Sequence, residues 1–468
     1  MFKSPLAKSG LIYLLLLLGI SFLSSFSGLN NTQILSIVVF SSIMLGAILF
    51  WKFRLAFGLI GMVILLGLSL TQISNIVESA GFDIILFLIG MMIVVSFLEE
   101  RRFFEILINK IISLVGFNAS LLVMVMMMLA AFFAALVDEV TSILFVASTM
   151  IHLTVRFRAN PIPFIIMLVF ATNIGSSATV IGNPVGVVIA LKANLSFGEF
   201  ARWASPISII SLFAMMLLVL RFFRKDINQL EVNIREQNIN NLSHVDVLTV
   251  PRSEFLISVA LFLGTILLLG LHNQIEGLLQ LSKNTMLLGT SLGAGGVALI
   301  LDRKKAREII EKRIDWWTLS FFITFFSAVA TLSVTGVTNF LSLKLLSFTG
   351  LDMSKIFLGI SLASGLLSSI MDNVLAVSII IPVIKGLGSL GIFTFPLWWG
   401  VLFASTLFGN LTMIGSTANI VAIGMIERRK LGNINFLEWI KPGLIASVPP
   451  LAIALVLVYL QIPLMPWW

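Results

Sequence analysis

Asp138 and Glu139 stand side by side in "ALVDEVTSIL" (135–144), between hydrophobic runs. Asp372 holds the matching place in "SIMDNVLAVS" (369–378), followed by Asn373. A charged group inside a bilayer is costly, and those that persist usually line ion pathways. No Lys or Arg lies within either quoted stretch to neutralise the acids. An unpaired carboxylate in a low-dielectric site takes up a proton or coordinates a metal cation, and either makes a coupling device. A plainer use is compatible with it: each aspartate can cap the helix that opens after it. Glu139 faces Asn373 in the second stretch, so its own role stays open.

Each acidic stretch is followed by a polar, glycine-bearing motif, "ATNIGSSATVIGNPVG" (171–186) and "FGNLTMIGSTANIV" (408–421). Glycines and Pro184 resist staying helical. Backbone that unwinds inside a membrane must line a cavity or be buried in protein. Unwound ends present N–H groups to an anion and carbonyls to a cation. Tight helix packing by small residues is the alternative, but packing does not call for four asparagines. The candidate ligands for substrate or coupling ion in the first half are Asp138, Glu139, Thr141, Asn173, Gly175, Ser176, Gly182 and Asn183. In the second they are Asp372, Asn373, Asn410, Thr412, Gly415, Ser416, Thr417 and Asn419. If the coupling ion is Na+ rather than H+, Asp138 and Asp372 are its expected sites.

The elements that must position these groups are membrane helices. The chain has 468 residues, is 58% hydrophobic and 11% charged, and has a mean hydropathy of +1.08. Soluble domains carry about 25% charged residues. Spans are expected at about 11–29, 34–50, 55–73, 82–98, 162–194, 206–223, 255–272, 284–301, 314–333, 395–427 and 440–460. The first could instead be a signal peptide. The runs are continuous rather than alternating, which argues against a β-barrel. The net charge of +8 falls in short loops, where topology explains it without nucleic acid. With no cysteine, disulfides and thiolate chemistry are excluded. The three histidines, His152, His244 and His272, read as isolated loop or helix-end residues. The methionine runs read as core or lipid-facing filler, and the tryptophans, Trp467 and Trp468 among them, as membrane-belt anchors.

The halves resemble each other. Asp83 to Asp138 is 55 residues, and Asp315 to Asp372 is 57. Asp138 to Gly182 is 44, and Asp372 to Gly415 is 43. Such duplications are common in secondary transporters. The basic 302–313 loop corresponds to 74–82, which has no Lys or Arg, and Arg101/Arg102 correspond to the uncharged 334–339. Basic in one copy and bare in the other is the mark of a flipped copy. Lys385 fits this pattern less neatly, although a helix-end lysine can snorkel. Arg101/Arg102 and Arg156/Arg158 both belong inside, so 119–157 must enter and leave on one face as a re-entrant hairpin. Residues 101–116 then lie along the cytoplasmic surface, and 339–348 lie along the outer one.

The expected fold class is therefore an all-α polytopic membrane protein, an inverted-repeat transporter with eleven transmembrane helices, two re-entrant hairpins and two broken helices. Its parts are N-terminal scaffold spans (1–80), a first repeat (81–223, hairpin 119–157, broken helix 162–194), a cytoplasmic linker (224–254), scaffold spans (255–313) and a second repeat (314–468, hairpin 355–390, broken helix 395–427). The linker could alternatively serve as a regulatory docking segment. The N-terminus is expected inside and the C-terminal "PLMPWW" outside.

The runs "DEVTSILFVASTMI", "NPIPFIIMLVFATNIGSSATVIGNPVG" and "MDNVLAVSIIIPVI…GNLTMIGSTANIV" resemble the ion transporter superfamily, in particular its arsenite permease and sodium/proton antiporter branch, which takes in P-protein-like and citrate-transporter-like domains. The likeness covers about 80–460. It implies a homodimer in a bacterial or archaeal plasma membrane, with a scaffold and a mobile transport unit that shifts like an elevator. An energising ATPase is a further partner some such carriers use. Sodium-coupled dicarboxylate relatives carry Ser-Asn-Thr at both tips, whereas here the tips are Asp138-Glu139-Val140 and Asp372-Asn373-Val374, which argues against dicarboxylate symport. Two departures from the resembling branch bear on specificity: Glu139 replaces an Asn, and Asn183-Pro184-Val185-Gly186 replaces Asp-Pro-Pro-Asn. The expected activity is coupled movement of Na+, arsenite or antimonite against a proton or cation gradient, with no cofactor. Sodium-coupled anion or dicarboxylate symport is the alternative, and a channel follows behind. No nucleophile–base pair or metal motif suggests an enzyme.

Overall fold

The computed structural model describes residues 5–115, 118–238 and 251–466, all helical or irregular, with no β-strand among them. The chain opens with α1 (Pro5–Ser25), α2 (Asn31–Leu49), α3 (Arg54–Gly67) and a short α4 (Ile73–Ser79). Then come α5 (Phe82–Glu100), α6 (Phe103–Val115), α7 (Ala119–Leu136), α8 (Glu139–Arg156), α9 (Ile162–Ser176) and α10 (Pro184–Ala193). A single turn, α11 (Phe197–Glu199), runs through a π-turn into α12 (Ser205–Phe222), and α13 (Arg224–Asn238) follows. The second half holds α14 (Arg252–Leu279), α15 (Thr285–Leu301), α16 (Ala306–Lys312), α17 (Trp316–Val334) and α18 (Val337–Thr349). It continues with α19 (Met353–Ile370), α20 (Asn373–Ser389), α21 (Phe395–Phe408), α22 (Thr417–Arg428) and α23 (Phe436–Gln461).

Among the described residues nine helices are long and apolar enough to cross a membrane. The expectation of eleven spans differs for physical reasons. The α3 helix has 14 residues and α15 has 17, both short for a span, and each broken helix is two shorter pieces. The expected span at 55–73 ends early, at Gly67, where Ser69 turns with a φ of 54°. Two hairpin arms, α7 and α19, are apolar and long enough to count among the nine.

The acidic stretches do not run straight through. Val137 ends α7 with a φ of −125°, and α8 folds back so that Ser142 Oγ donates to the Ala130 carbonyl at 2.7 Å. In the second hairpin α20 likewise packs back on α19. The stretch 224–254, read as a polar linker, begins as the helix α13; residues 239–250 lie outside the described residues. Ile227, Leu230 and Ile234 recur at helical spacing and are buried. Glu231 accepts from the Ala119 amide at 2.6 Å, at the start of α7. Asn233 donates to the carbonyls of Phe157 and Arg158, at the end of α8, at 2.9 and 3.2 Å. Both ends of the first hairpin thus meet the same helix.

The corresponding helices α5 and α17 point opposite ways. Glu100 at the end of α5 binds Lys305 and Arg313, which precede α17, each at 2.5 Å. At the far end, Ser327 in the second half of α17 donates to the Ile76 carbonyl of α4, just before α5, at 3.2 Å. His152 and His272 lie within helices rather than in loops, and His244 is outside the described residues. His272 is fully buried, its Nδ1 2.7 Å from the Leu269 carbonyl. Trp467 and Trp468, and with them the end of "PLMPWW", also lie outside the described residues.

Candidate functional site

Both aspartates cap the second arm of their hairpin. Asp138 Oδ1 accepts from the amides of Val140 and Thr141 at 2.8 and 2.9 Å, and Oδ2 accepts from the Thr141 hydroxyl at 2.6 Å. Asp372 Oδ1 accepts from the Val374 amide at 3.0 Å, while its Oδ2 accepts from the Thr417 hydroxyl of α22 at 2.5 Å. The first acid is spent within its own helix. The second reaches across to the broken helix of its half.

The two breaks are built alike. Asn183 caps α10 by accepting from the Gly186 amide at 2.8 Å, and Ser416 caps α22 by accepting from the Ala418 amide at 3.1 Å. Thr179 donates to the Ala135 carbonyl, and Thr412 donates to the Ser369 carbonyl at 2.5 Å. Each thus ties the break to a carbonyl three residues before the capping aspartate. Gly182 and Gly415 make these turns possible. A Cβ on either would meet a carbonyl oxygen, of Ser176 at 2.2 Å or of Gly409 at 2.7 Å. Gly175 allows α9 to lie against the Ala131 backbone of α7, 2.3 Å from where its Cβ would be.

Between the halves lies a closed polar network. Asn173 donates to Asn410 Oδ1 at 2.7 Å and to Asn419 Oδ1 at 2.8 Å. Asn419 in turn donates to the carbonyls of Gly409 and Thr412, both at 2.8 Å, and Trp439 Nε1 donates to the Asn410 carbonyl at 3.0 Å. The Asn373 amide, oriented with its nitrogen toward the carbonyls, donates to Ser405 at 3.1 Å and Gly415 at 2.5 Å. Every one of these groups is buried, and a satisfied network of this kind rigidifies what it joins.

Glu139 is the exception. It is 4% exposed and sits between the halves, Oε2 3.4 Å from Ser176 Oγ and Oε1 3.3 Å from Ser416 Oγ. Each serine has one proton, and each has a better acceptor. Ser176 is 2.8 Å from the Asn173 carbonyl, and Ser416 is 2.9 Å from Asn173 Oδ1. Both hydroxyl oxygens already accept, Ser176 from Asn183 Nδ2 at 2.7 Å and Ser416 from the Ala418 amide. No Lys or Arg comes within ion-pair distance of Glu139 among the described residues. The carboxyl group therefore has two hydroxyl oxygens beside it and no spare donor.

A cavity of about 440 Å³ opens onto the acids. Of the expected site residues it is lined by Asp138, Glu139, Thr141, Asn183, Asp372 and Thr417. Asn173, Gly175, Ser176, Gly182, Asn373, Asn410, Thr412, Gly415, Ser416 and Asn419 stand behind that wall as its framework. Its other end reaches Glu99, Lys312, Arg313 and Asp315, beside the basic 302–313 loop. Sequence reasoning missed Thr179, which ties the first break to α7, and Asp315 and Thr318 on the cavity lining. Thr179 and Thr412 share the 233-residue offset of Gly182 and Gly415, and that repeat was the signal for Thr179. Among the described residues no three His, Cys, Asp or Glu side chains gather as a metal centre.

A profile of citrate transporters matches residues 44–342 and 326–467. The chain belongs to the citrate transporter family. An uncharacterised transporter of Mycobacterium tuberculosis is similar to this citrate-transporter-family chain, 27% identical over 387 residues, covering 81% of this chain and 86% of the relative. A 46 kDa membrane protein of Mycobacterium leprae is 28% identical over 390 residues, with the same coverage. The human P protein is 26% identical over 442 residues, covering 80% of this chain and 52% of its own length. The crystal structure of the Alcanivorax borkumensis YdaH transporter superposes with a TM-score of 0.55 at 15% identity, over 84% of this chain and 87% of that one. That likeness is one of fold. With its apolar helices and this family membership, the protein is an integral membrane protein of a transporter family.

Proposed function

We propose that the protein is a secondary active transporter that moves a small inorganic species, Na+ or a neutral oxyacid such as arsenite or antimonite, coupled to a proton or cation gradient. The carrying observation is Glu139. A buried carboxyl group with only hydroxyl oxygens for neighbours is satisfied when it holds a proton to donate to one of them, or when a monovalent cation joins it. Loading and unloading that positive charge is the coupling event. Asp138 and Asp372, at the two caps on the cavity wall, are the further stations of the ion.

The opposed α5 and α17 and the twin capped breaks support reading the chain as two inverted copies around one central site. The positive-inside bias puts the 302–313 loop in the cytoplasm, so the 440 Å³ cavity is the inward-open route to the acids. Rigid displacement of hairpins and broken helices against the remaining spans would carry the site across. A homodimer, with an ATPase as an optional energising partner, completes this reading.

The family's description favours a second reading, anion transport. Lys312 and Arg313 at the cavity mouth are consistent with it. A multivalent carboxylate would face three acids, however, and like charges repel unless a bound cation stands between them. The experiment is a flux screen in proteoliposomes with arsenite, Na+ and citrate, each with and without a proton gradient. Exchange of arsenite or Na+ driven by the gradient supports the first reading. Citrate uptake that requires a cation selects the second, and ungated conductance defeats both.

A further inference from the structure

Lys385 lies, with Lys192, at the end of the fold away from the basic 302–313 loop, and its surroundings give it a use. A second cavity, of about 660 Å³, lies at the opposite end of α17 from the basic 302–313 loop. It is lined by Lys385 and Lys192, with Asn75, Asn339, Ser389 and Glu78 among its polar groups. The volume falls within the range of small-molecule sites. It does not reach the acids of the first cavity. One turn of α17 and of α20 parts the two: Phe322 and Val374 line the first, while Phe326 and Ser378 line the second, and on α10 the neighbours Val187 and Val188 face different cavities.

The charges in this cavity do not cancel locally. Lys192 Nζ is paired with Asp83, 3.2 Å away. Lys385 has no carboxylate within ion-pair distance among the described residues, and the charged groups facing it are Lys192 and Asp83. Glu78, a further carboxylate on the lining, is exposed, as are Lys385 and Asn339. The side-chain amides of Asn75 and Asn339 make no hydrogen bond among the described residues. The cavity thus holds one exposed ammonium without an ion-pair partner among the described residues, next to the paired Lys192 ammonium and two amides free of hydrogen bonds. Low-dielectric walls focus such a field and concentrate counter-ions of opposite sign.

We propose that this cavity is a binding vestibule for a small multivalent anion, a carboxylate or an oxyanion, held by Lys385 and assisted by Lys192. It is separate from the acidic site and stands whether or not Glu139 carries the coupling ion.

The absence of cysteine makes the test clean. Ser389→Cys places a thiol reporter on the cavity wall, and Ser347→Cys places a control thiol on the exposed face of α18. Labelling by a membrane-impermeant maleimide is timed with citrate or phosphate as probe, against chloride at equal ionic strength. A probe at twice its dissociation constant slows a protected thiol about threefold. The expected result is that slowing at Ser389→Cys and none at Ser347→Cys. Adding Lys385→Gln removes the protection, and adding Lys385→Arg keeps it. The Asp372→Asn variant, which tests the transport reading, leaves the protection intact. Equal slowing at both reporters, no slowing by either probe, or protection that survives Lys385→Gln would overturn the vestibule.

Discussion

At the scale of the residue, three acids in one cavity are held in three ways, and they should fail differently. Asp138 satisfies its own helix, Asp372 ties α20 to α22, and Glu139 has only long contacts to the Ser176 and Ser416 hydroxyls, both of which have nearer acceptors. Replacing Glu139 with Gln supplies the missing donor. It should leave the thermal midpoint unchanged or raised while coupled flux falls by about tenfold or more. Wild-type flux at unchanged pH dependence would remove Glu139 from the mechanism. Asp372→Asn keeps a capping oxygen, so its loss should again be of flux rather than folding. Thr417→Ala leaves Asp372 Oδ2 without its partner and should cost about 1–2 kcal/mol of unfolding free energy, measured by denaturant titration. The acids and asparagines were legible because charge and amide groups are rare in so apolar a chain. What they bond to was not. The sequence pairs Glu139 with Asn373 as equivalents, yet Asn373 donates to carbonyls inside its own half while Glu139 looks across to Ser416. Matching spacing aligns the two backbones; the side chain then finds whatever partner its surroundings present.

At the scale of the element, the folded-back acidic stretches and the two helix breaks follow from apolar run length and from glycine and proline in polar clusters. The helix α13 within the linker did not follow, and the composition explains why. A stretch rich in Asn, Gln and charged groups has low hydropathy on average, and that average hides the spacing of Ile227, Leu230 and Ile234. The resulting α13 closes the open end of the first hairpin through Glu231 and Asn233. Glu231→Ala should lower stability by about 1–2 kcal/mol and increase amide exchange at the start of α7. An unchanged exchange rate at Ala119 would show that the staple is not needed. The breaks are less forgiving. Gly182→Ala or Gly415→Ala drives a methyl group into a carbonyl oxygen, and the helix end must shift. Both should depress flux at least about tenfold, since small misplacements of binding groups are that costly.

At the scale of the whole molecule, the question is which parts move. One set of helices packs through α5 with α15 and α3 with α17; another packs through α7 with α9, α19 with α21 and α12 with α23. Polar contacts join the two sets. Lys192 at the end of α10 binds Asp83 at the start of α5, 3.2 Å apart, and Asn284 donates to the Ala190 carbonyl at 3.3 Å. If the second set carries the site across as a rigid body, these contacts must break in every cycle. A chain with Asp83→Cys and Lys192→Cys, joined by a short reversible bis-thiol reagent, should lose flux in proportion to the fraction cross-linked and regain it on reduction. Each single variant treated alike controls for modification. If cross-linked molecules still transport, the site must open to the far side locally instead, through the one-turn septum of Phe322 and Phe326, whose rings stack 5.7 Å apart. In that case Phe322→Ala should produce a leak between the two cavities, whereas a rigid-body carrier should tolerate it with only reduced stability.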